Sequence, residues 1–123
     1  MASRSRSERD AVVETMRARR RSGARAVTTN LVIAETHALL LRRVGRPTAH
    51  AFVHEVVRVP NAVVWSTPEI EARARLDWLD RYHDQDFSYT DAVSFAVMAE
   101  RDIREALTLD HHFAVAGFVT LPS

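Results

Sequence analysis

Residues 86–98 read DFSYTDAVSFAVM, and this stretch decides the class of fold. The run AVSFAVM at 92–98 is apolar almost throughout, which is typical of a helix buried on most of its surface. Asp91 stands at the start of that run, although an ionised carboxylate is costly to bury. The sequence therefore predicts a core helix over residues 89–101 that carries an acid in its first turn.

Short strand-like runs alternate with helical patterns on both sides of this core helix. The predicted strands are RAVTT (25–29), NAVVW (61–65), EALTL (105–109) and GFVTL (117–121), and the other predicted helices cover 8–21, 31–43, 47–57 and 68–82. Such alternation predicts an α/β fold in three layers, with a parallel sheet flanked by helices. We expect residues 1–123 to form a single domain, with residues 1–7 frayed.

Composition narrows the classes of protein that are possible. The chain has 123 residues, is 46% hydrophobic and carries a net charge of +1, which suits one globular domain. It has no cysteine, which excludes disulfides and thiolate metal sites and suits the cytoplasm. The sequence shows no signal peptide and no apolar run long enough to span a membrane.

Three acidic residues are predicted to meet at one edge of the sheet. The carboxyl ends of parallel strands and the amino termini of the following helices lie at the same edge, where ligands usually bind. Glu35 lies one turn into the helix after AVTT, Asp91 lies in the first turn of the core helix, and Asp110 directly follows EALTL. The sequence therefore predicts an acidic site built from separate segments.

Two of the three acids, Asp91 and Asp110, also have a simpler interpretation, whereas Glu35 does not. The segment SYTD matches the spacing of a capping box, so Asp91 could be a cap residue. Asp110 could belong to an ordinary turn or cap before HHF. Glu35 shares a helix face with Leu31 and Leu39, which predicts a buried carboxylate in need of a cation or a partner.

A cluster of carboxylates favours a metal site. Oxygen ligands without cysteine prefer hard ions such as magnesium or manganese. Such ions bind phosphates and activate water for phosphodiester cleavage, so hydrolysis of a nucleic acid follows as a hypothesis.

The six histidines lack the spacing of a zinc motif, and no third ligand accompanies His50 and His54, which lie one helical turn apart. Trp65 and Trp78 are expected to pack in the core.

Four segments of the chain carry a resemblance to a known family. VTTNLVIAETHALLLRR (27–43), DFSYTDAVSFAVM (86–98), ALTLDHHF (106–113) and GFVTLP (117–122) resemble, in order and spacing, the motifs of PIN-domain ribonucleases, especially the VapC-type toxins of bacterial toxin–antitoxin pairs. The resemblance implies an endoribonuclease that cuts RNA with metal-activated water. It further implies that Glu35, Asp91 and Asp110 are catalytic residues that hold one or two magnesium or manganese ions.

The resemblance also implies protein partners, and the sequence departs from the family pattern in one respect. Family members have a cognate antitoxin, and a homodimer is expected by analogy. They also begin with an apolar strand that ends in a first aspartate, whereas here the first helix follows MASRSRSERD, and Asp10 does not follow such a strand. Two alternatives remain open: a metal-dependent ribonuclease, whose natural chain could start earlier, or a catalytically inactive PIN-like module that binds an antitoxin or RNA.

Overall fold

The computed structural model describes residues 6–108 and 110–122, which form helices and short parallel strands. In chain order the elements are α1 (Arg6–Arg21), β1 (Val27–Thr29), α2 (Asn30–Arg43), α3 (Arg46–Glu55), β2 (Ala62–Val64), α4 (Pro68–Arg73), α5 (Tyr89–Glu100), β3 (Glu105–Leu107), α6 (His112–Val115) and β4 (Val119–Leu121). A π-helical segment, Ala74–Asp80, continues α4.

Hydroxyl side chains fix the starting points of three helices. The Thr29 hydroxyl accepts a hydrogen bond from the backbone N–H of Val32 and so caps α2. Thr67 caps α4 in the same way, and Pro68 follows it in the first helical turn, a pair of residues that favours a helix start. Ser88 caps α5. The helix starts are therefore set by local chemistry.

The strands pair in parallel, which confirms the predicted pairing. β1 pairs with β2, with Val27 opposite Ala62, and β3 pairs with β4, with Glu105 opposite Val119. The difference from the expected arrangement is that these strands make two separate two-stranded sheets. Among the described residues no strand lies between the two pairs, so no backbone hydrogen bonds join them.

Helix α5 lies at the centre of the hydrophobic core. Val93 and Phe95 are fully buried, and Ala92, Ala96, Val97 and Met98 are nearly so. Phe95 packs against the rings of Phe87, Phe113 and Phe118, while Trp78 lies against both halves of the core. The prediction of a core helix is confirmed.

Several sequence-based boundaries differ from the structure. Every strand is three residues long, and Leu109, the last residue of the predicted EALTL strand, lies outside the described residues. The sequence predicts that residues 1–7 are frayed. Residues 1–5 lie outside the described residues, and residues 6 and 7 are helical. The helix predicted over 68–82 changes from α to π at Ala74, and α6 was not predicted.

Trp65 is a clear correction. The side chain is 70% exposed instead of packed in the core, because it follows the buried Val64 at the end of β2 and successive strand residues face opposite sides. The prediction for Trp78 is confirmed, since its ring stacks on Tyr82 with centroids 5.6 Å apart.

Among the described residues, no helix combines the length and the apolar character needed to cross a bilayer.

Truncation of Phe95 should test the central role of α5. Because its ring is fully buried among other aromatic rings, we expect Phe95→Ala to lower the free energy of unfolding by about 3–5 kcal/mol. Urea denaturation measures this change. Val59→Ala is the control, since Val59 is exposed and its truncation should cost less than about 0.5 kcal/mol. Equal effects of the two changes would contradict the assignment.

Candidate metal-binding site

Asp91 lies in the first turn of α5, held by a capping box. Its backbone N–H donates to the Ser88 hydroxyl at 3.0 Å, and its Oδ2 accepts from the Ser88 backbone N–H at 3.3 Å. The side chain is 16% exposed. The simpler interpretation of Asp91 as a cap residue is therefore confirmed, and the same contacts fix where its carboxylate points.

Asp110 follows β3 and is held by a turn of its own. Its backbone N–H donates to the Thr108 hydroxyl at 3.0 Å, and its Oδ1 accepts from the backbone N–H of His112 at 2.9 Å. The side chain is 40% exposed. This confirms the turn interpretation as well, because the carboxylate organises the start of α6.

His112 joins the two carboxylates. Its Nδ1 lies 3.5 Å from Asp91 Oδ2 and 3.4 Å from Asp110 Oδ1. This nitrogen is buried and makes no hydrogen bond. The ring packs edge-on against Phe87, with centroids 5.4 Å apart, which limits how the imidazole can turn. The structure thus brings two of the three predicted acids into contact with the same imidazole.

Glu35 does not join this group. It is exposed on α2, so the expected burial of its carboxylate is wrong. The neighbouring positions Ala34 and Leu39 are exposed too, whereas Leu31, one turn earlier on the same face, packs against the core. In the described part of the chain, Asp110, His111 and His112 form the one set of three potential metal ligands within 4.8 Å of one another.

The donor atoms suit a divalent cation. The contacts above involve Oδ2 of Asp91 and Oδ1 of Asp110, so each carboxylate keeps a second oxygen for an ion. The buried, unpaired Nδ1 of His112 adds a nitrogen beside them. Carboxylate oxygens suit magnesium, and an imidazole alongside them also suits manganese. The donor types therefore fit a divalent cation at Asp110 and His112, whereas Asp91 contacts His112 but lies outside the set of ligand atoms within 4.8 Å of one another.

A second polar group lies beside the first turn of α5. Glu71 accepts hydrogen bonds from the Tyr89 hydroxyl and, at 3.0 Å, from the Ser66 hydroxyl. These bonds, that of Tyr89 above all, hold the pKa of Glu71 below its usual value of 4.5. The same bond to Glu71 raises the pKa of Tyr89 above 10.0. Ser66 in turn donates its backbone N–H to Asn30, so the group links the ends of β1 and β2.

Comparison with known proteins identifies the family. The model of the PIN domain matches residues 2–119, nearly the whole chain. The chain belongs to the PIN-domain family. This result confirms the resemblance and the α/β fold class inferred from the sequence.

Within the PIN family the chain is similar to one toxin in particular. It is 39% identical over 97 residues to the 23S rRNA-specific endonuclease VapC20 of two Mycobacterium tuberculosis strains, a match that covers 76% of this chain and 70% of the relative. The crystal structure of Mycobacterium tuberculosis VapC20, described as a sarcin-ricin loop cleaving toxin, matches with a TM-score of 0.71 and 38% identity, over 76% and 71% of the two chains. PIN nucleases in general depend on divalent metal ions.

His112 is the site residue that the sequence analysis missed. The signal was its place two residues after Asp110 in DHHF, where the short turn of α6 returns the imidazole to the carboxylate. The spacing of zinc motifs does not identify His112, because Asp91, the second carboxylate that it contacts, lies on a different helix, α5.

Removal of the Tyr89 hydroxyl should change how stability depends on pH. The bond from Tyr89 favours ionised Glu71, so its stabilising effect is present above pH 4.5 and is lost as the pH falls through the lowered pKa of Glu71. We expect Tyr89→Phe to lower the melting temperature at neutral pH and to match the parent in stronger acid. NMR titration of Glu71 should show its pKa returning towards 4.5. Tyr82→Phe, which removes a hydroxyl away from Glu71, should leave that pKa unchanged.

Proposed function

We propose that this protein is a single-domain, metal-dependent endoribonuclease, the toxin of a type II toxin–antitoxin pair. One observation carries the proposal: Asp91 and Asp110, from separate segments, meet at the buried nitrogen of His112 in a PIN-family chain. The similarity to an endonuclease toxin supports the same reaction class.

The proposed metal ligands are Asp91 and Asp110, with Glu35 as the third acid only if α2 brings it to them, since it is exposed and outside the group in the structure. Magnesium or manganese, when bound, would neutralise charge on the phosphodiester and lower the pKa of the attacking water. The protein holds Asp91 in place through the Ser88 cap and holds Asp110 through the backbone N–H of His112. Both carboxylates are thereby oriented before any ion arrives, which reduces the entropy lost on binding.

RNA is the proposed substrate. The relatives are named for cleavage of 23S rRNA, and the related crystal structure is that of a toxin described as cleaving the sarcin-ricin loop. Intact ribosomes and a hairpin with that loop are therefore the first substrates to assay. The Asp110 side chain is the more exposed of the two carboxylates, which leaves room for a phosphate group beside it.

The proposed protein partners are a cognate antitoxin and a second copy of the chain, in the cytoplasm. An apolar surface on α2, α3 and the end of β2 is compatible with such contacts. There, Val57 and Trp65, both exposed, line a shallow groove together with Ile33 and Val53. Surfaces of this kind are typical of protein interaction sites.

One observation favours a second candidate, a PIN-like module that binds without cutting. Glu35 is exposed, and among the described residues the set of potential ligands within 4.8 Å of one another holds one acid, Asp110, with His111 and His112. A site with fewer carboxylates would hold its ion more weakly. Metal affinity and RNA cleavage together distinguish the two candidates.

RNA cleavage should require the ion and both aspartates. We expect cleavage with magnesium or manganese that stops with a chelator, and a loss of at least about a hundredfold in Asp91→Asn and Asp110→Asn. Asparagine keeps an oxygen that can accept the capping hydrogen bond, so the charge is what is removed. Gel analysis of cut RNA measures the rate.

Asp102→Asn is the matched control for this experiment. Asp102 is exposed, pairs with Arg104 at 3.3 Å and lies outside the proposed site. Its backbone φ of 55° is one that asparagine also accepts. Cleavage that persists in both site variants, or that survives the chelator, would refute the proposed mechanism.

Manganese binding should be measurable without RNA. We expect a calorimetric signal in the parent and an affinity at least about tenfold lower in Asp110→Asn, because a direct ligand is lost. Binding by the parent together with an absence of cleavage on every RNA would support the inactive module. No binding by the parent would remove the metal site from this chain.

A further inference from the structure

A row of basic residues follows one exposed side of α3. Its members stand four positions apart, and residues at this spacing lie one above the other on a helix. They are Arg46, His50 and His54 in α3 and Arg58 in the turn that follows it. All four are exposed, and the rings of His50 and His54 lie side by side with centroids 4.7 Å apart. We call these four residues the basic stripe.

Packing on the other side of α3 turns the basic stripe towards solvent. Ala49 is fully buried, and Phe52 and Val56 are partly buried. These residues hold the helix against the rest of the protein, so its orientation is fixed. Because an α-helix rises about 1.5 Å per residue, successive members of the stripe within α3 are about 6 Å apart along its axis.

Positive charge is concentrated around the basic stripe. Residues 36–68 contain four of the 17 basic residues of the chain but only one of its 16 acids, Glu55. Glu55 pairs with Arg58 at 3.3 Å, but their side chains are 59% and 72% exposed, and such pairs are weak. Arg46 forms no ion pair with any described residue. The stripe therefore keeps most of its charge for a partner.

The residue types in the basic stripe favour an anion over a metal ion. Two histidines one helical turn apart can bind a transition metal, but Arg46 and Arg58 stand four positions away on either side and repel a cation. The chain contains no lysine, and the guanidinium of arginine binds phosphate through two parallel N–H donors. A neutral imidazole adds one N–H donor. The stripe thus suits a row of phosphate groups.

RNA fits the basic stripe better than an acidic protein does. Interfaces with nucleic acid are polar and positively charged, whereas interfaces between proteins have a core of apolar and aromatic side chains. The stripe consists of arginines and histidines, with no apolar member at its centre. Its side chains are spread along the axis of α3 instead of around one point, which suits contact with several phosphates of one strand.

We propose that the basic stripe contacts the sugar-phosphate backbone of the RNA substrate, at a second place outside the acidic site. The inference rests on the proposed function, because RNA is the substrate proposed there. Asp91 and Asp110 belong to α5 and to the turn after β3, so the stripe is carried by a different element. Phosphate contacts position RNA without reading its bases. The stripe would therefore raise the affinity for RNA in general, and the choice of cleavage site would depend on other residues.

Binding to RNA that cannot be cut tests the proposal. The experiment uses the full chain with Asp91→Asn, in the presence of a chelator, and a fluorescent RNA hairpin with the sarcin-ricin loop. Arg46→Gln combined with Arg58→Gln should raise the dissociation constant about tenfold, because two phosphate contacts are lost. The dependence of the logarithm of the binding constant on the logarithm of salt concentration should become less steep by about 1.5. A hairpin of unrelated sequence should show the same loss.

Arg101→Gln combined with Arg104→Gln is the matched control. Arg104 is 79% exposed and pairs with Asp102 at 3.3 Å, the same distance as the ion pair in the stripe. Arg101 is exposed and forms no ion pair among the described residues. Both double variants remove the same charge from exposed positions, so both should melt as the parent does. We expect the control to change the dissociation constant less than about twofold.

Several results would overturn the proposal. Unchanged RNA affinity in the stripe variant, or equal losses in the two double variants, would show that the stripe makes no contact of its own. A loss confined to one RNA sequence would indicate that bases are read. Dimers of the parent that separate in the stripe variant would identify the stripe as an interface between copies of the chain. Since RNA binding is measured without metal, these results leave the proposed nuclease untouched, and an absence of cleavage leaves the binding test untouched.

Discussion

The burial of α5 is the constraint on which the rest of the structure depends. The helix is apolar from Ala92 to Met98 and is covered on nearly all sides, so it tolerates charge only at its ends. Asp91 occupies the first turn, where backbone N–H groups are free to bind a carboxylate and the helix dipole favours negative charge. The packing of the core thus determines where the acid can lie, and the capping box determines its direction.

Two simpler interpretations of the acids proved correct without weakening the metal hypothesis. A carboxylate has two oxygens, and Asp91 and Asp110 use one each to organise the start of a helix. The oxygens that make these hydrogen bonds, Oδ2 of Asp91 and Oδ1 of Asp110, are also the ones that lie 3.5 and 3.4 Å from Nδ1 of His112. A carboxylate can therefore both cap a helix and bind a metal ion. The capping hydrogen bond also fixes the rotamer of the side chain, which favours metal binding.

Helix starts were predictable from the sequence because they depend on residues close together in the chain. Burial and side-chain contacts between residues far apart in the chain were not. Thr67 and Ser88 indicate the starts of their helices through spacing to the next few residues, and both caps are present. The exposure of Glu35 depends on what packs over α2, which helical periodicity alone does not reveal. His112 belongs to the site through contact with a residue on another helix. The sequence predicted the fold class, and the role of the three acids as metal ligands stays a prediction, of which the structure shows that Asp91 and Asp110 contact His112.

The separation of the sheets bears on the proposed metal site. Glu35 lies on the helix that continues from β1, and Asp110 lies just beyond β3, so these acids are carried by elements of different sheets. No backbone hydrogen bonds link the two sheets among the described residues, so their relative position depends on side-chain packing, chiefly against α5. The distance of Glu35 from the two carboxylates at His112 therefore depends on how the two sheets pack, which the residues next to Glu35 in the chain do not determine.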